Sequence, residues 1–233
     1  MERAVTLLSG GLDSFLSTSL AKKECNIVLG LTFDYGQKAV KQEIRAAQKM
    51  AKEWRVKHKV VELPWLKTLG NSALTSAQTL LPRFHGSEKL SDKKTTEKSA
   101  EAVWVPNRNG VFLNIAAAFA ESLGATVIVT GFNREEAATF PDNGSEFVHR
   151  INRALELSTF LYPPKVKSYV QSLTKTEMVE KLLSLDLPLD NFWSCYEGEE
   201  KMCGTCESCA RSITAFKANN LLEKIRHRFI QIS

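Results

Sequence analysis

The sequence predicts an α/β fold, a doubly wound and mainly parallel sheet, and three observations carry that expectation. Short apolar runs alternate with longer amphipathic stretches along most of the chain, as parallel strands joined by crossover helices require. The first run passes through a glycine turn, Ser9-Gly10-Gly11-Leu12-Asp13-Ser14, straight into a helical stretch. The β-branched run Thr126-Val127-Ile128-Val129-Thr130 has the composition of an inner strand buried on both faces.

In order along the chain, residues 4–8 read as a buried strand and residues 15–21 as the helix after it. Residues 26–33 form a second strand, closed by Asp34-Tyr35-Gly36-Gln37. Residues 37–54 are a charged amphipathic helix with Ile44, Ala47 and Ala51 on its apolar face. A third strand, 58–63, is stopped by Pro64. From 65 to 104 no periodicity persists and 91–98 is polar, so this stretch is expected to be a solvated, mobile loop or a lid.

Order returns at Val105-Pro106-Asn107-Arg108-Asn109, followed by a helix over 111–123 that Gly124 stops. After the strand at 126–130 come a loop over 131–144, a helix from about 146 to 161 and a shorter strand at 166–170. Thr174 and Glu177 match a capping box and start another helix. The cysteine-rich segment and a last helix over 208–222 complete the pattern.

A chain of 233 residues is long enough for one well-buried core. The expected division is an α/β domain over 1–190 and a C-terminal cysteine-bearing helical segment over 191–233, both within one globular unit. The 43% hydrophobic and 24% charged content is ordinary for a soluble globular protein. No apolar stretch approaches the roughly 20 residues that span a bilayer, so no membrane partner is expected. The chain opens on its first strand, and the expectation is a cytoplasmic protein without a leader. A net charge of +5 suits small polyanionic substrates but lacks the basic stripe that direct nucleic-acid binding needs.

A strand running through glycines into a helix leaves several backbone N–H groups unpaired at one point, with the helix dipole behind them. That arrangement binds phosphate. Gly10 and Gly11 permit close approach, and Ser9 and Ser14 add hydroxyls. There is no Gly-Lys-Ser/Thr, and the spacing is not Gly-x-Gly-x-x-Gly, so neither the Walker loop nor the dinucleotide fingerprint applies. The bland alternative is an ordinary glycine-rich turn. Because ligands of such sheets bind beyond the strand carboxyl ends, the turn, Asp34, Gly131-Phe132-Asn133 and the Lys175 region are expected to face one crevice.

Four of the five cysteines lie in Cys195-x7-Cys203-x2-Cys206-x2-Cys209, and Cys25 stands apart. In a cytosolic chain, clustered cysteines read as metal ligands before disulfides. Four thiolates close a structural tetrahedral Zn²⁺ site, and Gly204 lets the knuckle turn. A redox Cys-x-x-Cys pair and an iron–sulfur cluster are the weaker readings.

The hexapeptide SGGLDS resembles the PP-loop of the ATP pyrophosphatase superfamily, which cleaves ATP between its α- and β-phosphates. Together with FDYGQ, VPNRN, GFNREEAATFPDN, LTKTE and WSCYEGEEKMCGTCESC, in that order over nearly the whole chain, it resembles the 7-cyano-7-deazaguanine synthase family. The resemblance implies an adenine nucleotide alpha hydrolase-like fold. It also implies conversion of 7-carboxy-7-deazaguanine, with ammonia and ATP, to the nitrile through acyl-adenylate and amide intermediates, for queuosine or archaeosine synthesis.

On that resemblance, Leu8, Ser9, Gly10, Gly11, Leu12, Asp13 and Ser14 hold the phosphates of ATP, Asp13 acting through Mg²⁺. Phe33, Asp34 and Gly131 lie near the nucleotide. Asp13, Lys175 and Arg108 are the catalytic candidates. Lys175 would stabilise the leaving phosphates, with a solvated helix-start lysine as the alternative. Arg108 would contact phosphate or the substrate carboxylate, or else form a structural ion pair.

For the guanine edge, Asp142 is the candidate acceptor and Phe140 offers a stacking face, although Asp142 also fits a plain turn after proline. Glu135 and Glu136 read as exposed helix-start carboxylates, either of which could deprotonate ammonium or bind Mg²⁺. One structural Zn²⁺ per chain would sit on Cys195, Cys203, Cys206 and Cys209. The implied partners are ATP, 7-carboxy-7-deazaguanine and ammonia, and a homodimer is left open.

Two departures from the family pattern stand out: Asn143-Gly144 where many relatives carry Cys-Arg, and Tyr169 and Gln171 in a stretch that commonly holds a proline. Competing readings are another PP-loop enzyme, a tRNA thiolase or an amide ligase, and a non-catalytic zinc-stabilised nucleotide-binding protein.

Overall fold

The computed structural model describes residues 1–85 and 88–232, leaving Gly86, Ser87 and Ser233 outside the described residues. Five strands pair in parallel: β1 (Glu2–Leu7), β2 (Cys25–Asp34), β3 (His58–Glu62), β4 (Val127–Thr130) and β5 (Lys165–Ser168). Their order is β3-β2-β1-β4-β5. The most apolar strands take the middle, where Ala4, Val5, Val127, Ile128 and Val129 are all buried. The lysine-bearing β3 and β5 take the edges, where charge discourages further pairing.

The helices are α1 (Leu12–Ala21), α2 (Val40–Trp54), α3 (Glu88–Ser91), α4 (Lys93–Val103) and α5 (Arg108–Ser122), then α6 (Arg134–Ala137), α7 (Ser145–Ser158), α8 (Lys175–Ser184), α9 (Glu207–Ala218) and α10 (Leu222–Ile225). Two apolar layers result. On one face Phe15 and Leu16 of α1 pack with Met178, Phe192 and Phe216, and on the other Val5 and Leu31 pack with Leu113, Ala116 and Leu155. The chain winds outward from β1 to β3 and then returns to β4, so the order reverses between β1 and β4. The crevice of a doubly wound sheet opens at that reversal. The expected fold class holds.

In the stretch 65–104, of which Gly86 and Ser87 lie outside the described residues, the described residues depart from expectation because they are built rather than loose. Asp92 caps α4, accepting from Lys94 N at 3.2 Å, and the helix buries Thr96, Ser99, Ala100 and Val103. A buried face made of such small residues leaves no large-apolar period to read. Ala73 N–H donates to Ala102 O at 2.7 Å, and Leu74, Leu81 and Val103 form a small apolar cluster.

Other boundaries shift. Helix α5 starts at Arg108 instead of 111, after Asn107 turns the chain with φ +52°. Helix α7 ends at Ser158, and the strand expected at 166–170 runs over Lys165–Ser168. The last expected helix stops at Ala218, with α10 separate from it.

The cysteine segment is part of the main core. Cys195, Met202, Cys206 and Phe229 pack in the same cluster as Leu12 and Phe15, and Met202 pairs in parallel with Phe229. Among the described residues, no helix is long and apolar enough to cross a membrane.

Candidate active site

Between β1 and α1 the backbone turns at Gly10, φ +77°, where an added Cβ would stand 2.5 Å from the carbonyl oxygen of Glu43. Only glycine fits there. Gly11 precedes α1 with no side chain capping it, which leaves first-turn N–H groups directed at the crevice. Ser9 and Ser14 share a hydroxyl hydrogen bond of 3.1 Å beside them. From the neighbouring strand end, Gly131 approaches so closely that a Cβ would lie 2.7 Å from Ser14 N. The glycine after β4 therefore lets two strand ends share one site.

Lys175 sits at the start of α8, behind the expected capping box of Thr174 and Glu177. Its side chain is only 7% exposed, so it is not a solvated lysine. Its Nζ donates to both carboxylate oxygens of Asp13, at 2.5 and 2.6 Å, and lies 4.0 Å from Glu136 Oε1. Burial opposes its charge, but Asp13 and Glu136 outweigh burial and raise its pKa. Glu136 is pushed up to about 7, first by burial and then by Asp13, against the pull of Lys175.

Glu135 corrects another expectation, since it is not a free surface carboxylate. One oxygen accepts the Lys175 backbone N–H at 2.7 Å, and the other pairs with Arg211 at 3.0 Å. Arg211 also donates twice to the buried Glu207, at 3.0 and 2.7 Å.

A cavity of about 250 Å³ gathers Leu8, Ser9, Gly11, Leu12, Asp13, Ser14 and Phe33 with Arg108, Gly131, Phe140, Asp142 and Lys175. Two expected residues stand off its wall. Gly10 lies under the turn against α2, and Asp34 uses its carboxylate to accept the Gly36 N–H at 3.0 Å.

In the same cavity, Arg108 donates to the Tyr35 hydroxyl at 3.3 Å and to Asn109 Oδ1 at 3.4 Å. Its charge persists despite burial because Tyr35 and Asp142 favour it. Burial raises the Asp142 carboxyl, and Arg108 only partly offsets that. Asn143, a departure from the family pattern, donates to Asp142 Oδ1 at 3.2 Å. Phe33 stacks on Phe112 with centroids 4.1 Å apart.

Sequence reasoning missed Glu43, Trp104, Trp193 and Tyr196, which all line the cavity. Glu43 accepts from Gln37 at 2.8 Å, and burial pushes it up to about 7. It lies on a highly charged helix where one more acid carries no signal. Trp193 bridges the turn and the cysteines, its backbone N–H donating to Gly10 O at 2.7 Å and its indole N–H to Cys195 O at 2.9 Å.

The sulfurs of Cys195, Cys203, Cys206 and Cys209 all lie within 4.8 Å of one another, and all four residues are buried. A tetrahedral zinc with Zn–S of about 2.3 Å spaces its sulfurs by about 3.8 Å. The set therefore fits that ion. Backbone N–H groups of Glu197 and Cys203 point at Cys195 Sγ, and those of Thr205 and Cys206 at Cys203 Sγ, all at 3.3–3.4 Å. The Cys203 thiol is held far down by its three neighbours, while Cys206 and Cys209 are pushed up. Four thiolates coexist only around a cation.

These features define the PP-loop class of α/β proteins, which grip a nucleotide by its phosphates at the sheet's switch point, here with a four-cysteine segment closing the site. The chain matches the family described as "Queuosine biosynthesis protein QueC" over residues 3–220. It is 50% identical to a 7-cyano-7-deazaguanine synthase of Pelotomaculum thermopropionicum over 219 residues, covering 94% of this chain and 98% of the relative. It is 48% identical to the synthase of that name from Carboxydothermus hydrogenoformans over 211 residues, covering 91% and 96%. The chain belongs to the QueC family of queuosine biosynthesis enzymes. A solved structure with a more distant likeness is an NMN synthetase from Francisella tularensis, at a TM-score of 0.46 and 13% identity, covering 100% of this chain and 89% of that one.

Proposed function

We propose that this chain makes 7-cyano-7-deazaguanine from 7-carboxy-7-deazaguanine, ammonia and ATP. The observation that carries the reading is one cavity lined by the phosphate turn and Lys175 together with Arg108, Asp142 and Phe140. The names of the curated relatives support the same product.

A carboxylate is a poor electrophile, and hydroxide is a poor leaving group. In the first step a carboxylate oxygen bonds to the α-phosphorus of ATP, and the bond to the β-phosphate breaks with its electron pair leaving on pyrophosphate. The free N–H groups of α1, the hydroxyls of Ser9 and Ser14 and the Lys175 ammonium stabilise that charge. Ammonia then attacks the acyl carbon, sheds a proton and displaces AMP to give the amide. The amide oxygen attacks a second ATP in the same manner. Loss of both remaining N–H protons and of AMP leaves the nitrile. Each AMP carries away one oxygen of the original carboxylate. Glu136, poised near 7, takes the protons that nitrogen sheds.

Asp13 already holds one cation, the Lys175 ammonium, with both oxygens, so it is the residue that would hold Mg²⁺ brought with ATP. Such an ion supplies charge to the leaving pyrophosphate. Zinc on the four cysteines would serve folding, keeping Trp193 against the turn and Tyr196 on the cavity wall. No thiol outside that set lines the cavity among the described residues, which disfavours a thiolase.

The test is mass spectrometry of products from carboxylate-¹⁸O acid, ammonium, Mg²⁺ and ATP. The expected result is nitrile, pyrophosphate and AMP bearing one label per molecule. Folded, zinc-loaded protein that leaves both acid and ATP unchanged would overturn the reading.

A further inference from the structure

Glu43 stands in the first turn of α2, which leans on the phosphate turn: its carbonyl oxygen is the atom that a Cβ on Gly10 would meet at 2.5 Å. The residue lines the cavity with Ser9, Tyr35 and Arg108. Its Oε2 accepts from Gln37 Nε2 at 2.8 Å, while its Oε1 bonds to no described residue. Gln37 is 4% exposed and fully engaged, because Nε2 also donates to Phe33 O at 2.9 Å and Oε1 accepts the Tyr35 N–H at 2.9 Å. Its amide therefore cannot turn, and it holds the Glu43 carboxylate with one oxygen free.

Sheet order separates this acid from Glu136. Strand β1 leads into the phosphate turn and lies between β2 and β4, and α2 follows β2 whereas α6 follows β4. Glu136 lies 4.0 Å from Lys175 Nζ, but Glu43 pairs with no cation among the described residues. Burial is the largest influence on its carboxyl and raises it, Gln37 and the Arg108 guanidinium of α5 lower it, and Asp34 at the end of β2 raises it, to about 7. Glu43 in turn raises the Tyr35 hydroxyl.

A fixed carboxylate with one open oxygen calls for a cationic N–H donor. Of the reactants, ATP and the acid are anions that a carboxylate repels, whereas ammonium is a cation built of N–H donors. Magnesium takes several oxygens, and the group beside Glu43 is instead the N–H of Gln37.

We infer that Glu43 is the ammonium site and its base: the free oxygen binds ammonium and removes one proton, so that ammonia is released to the acyl-adenylate. This rests on the function proposed above. Ammonium has no lone pair and cannot attack. Transfer of one N–H proton to Oε1 leaves the bonding pair on nitrogen, giving ammonia and a neutral Glu43 carboxyl, which returns the proton to solvent. Glu136 acts afterwards, on protons shed once the C–N bond has formed. Bound ammonium keeps Glu43 ionised, so its own titration shows in kcat/KM for ammonium and not in kcat.

The experiment compares full, zinc-loaded wild type and Glu43→Gln, varying ammonium at saturating ATP and acid. The variant should lose about 10²-fold in kcat/KM for ammonium at about pH 7, and the deficit should shrink toward about pH 9, where solution itself supplies ammonia. Hydroxylamine is largely neutral at about pH 7 and needs no base, so hydroxamate formation should stay within about threefold of wild type. Acid-dependent exchange of labelled pyrophosphate into ATP precedes ammonia and should also persist, which shows that the variant is folded.

Unchanged ammonium dependence in Glu43→Gln would overturn the assignment and leave the proposed reaction standing, as would equal losses with ammonium and hydroxylamine. A change confined to the KM for acid would give Glu43 to the N–H edge of the base, and loss of pyrophosphate exchange would give it to adenylation. Either result also overturns the ammonium site. Wild-type protein that exchanges pyrophosphate but forms neither amide nor nitrile would sink the reaction itself.

Discussion

Lys175 keeps its charge in a buried position because two acids face it, and that charge is directed at the phosphate turn. Replacing it with alanine should lower kcat/KM about 10²–10³-fold while the circular dichroism spectrum is retained, as rate assays and spectra on one preparation will show. Glu136 adds a pH signature. Its carboxyl is raised to about 7, so the proton-accepting form is lost as pH falls through that value. The rate should be flat above about pH 8 and drop up to tenfold per unit below about 6, and Glu136→Gln should abolish that limb. Of these residues, Asp13 and Lys175 are legible in the sequence through the family resemblance of the blocks SGGLDS and LTKTE. The raised pKa of Glu136 is not, since it comes from neighbours distant in the chain.

At the scale of elements, Arg211 on α9 reaches Glu135, which in turn accepts the backbone N–H that starts α8. One side chain thus joins the helix of the cysteine segment to the helix that presents Lys175. Its other partner, Glu207, is 4% exposed with one oxygen unpartnered. Arg211→Met should destabilise the fold by about 3 kcal/mol by stranding both acids, and adding Glu207→Gln should recover part of that in thermal melts. The strands and most helices were readable because their apolar residues repeat at the right period. Helix α4 was not, because it packs through Thr96, Ser99 and Ala100, and Trp104 was hidden with it. Glu135 was misread for a related reason: its ion-pair partner lies on another helix.

For the whole molecule, α1 and the cysteine segment share one apolar core, so metal and fold should be lost together. Chelation of zinc, or Cys206→Ala, should take the zinc-to-protein ratio from one toward zero and lower the melting temperature in a single transition, followed by metal analysis and calorimetry. The return of the chain to that core, through the Met202–Phe229 bridge, had no sequence signal, since an isolated bridge carries no period.

The hydrogen bond from Trp193 to Gly10 also has a consequence in time. Synthesis makes the phosphate turn first and its clamp last, with most of the chain between them. A growing polypeptide therefore carries the turn without its Trp193 contact until the final fifth of the chain has emerged. The order of residues, and not only their geometry, thus decides when the turn gains that contact.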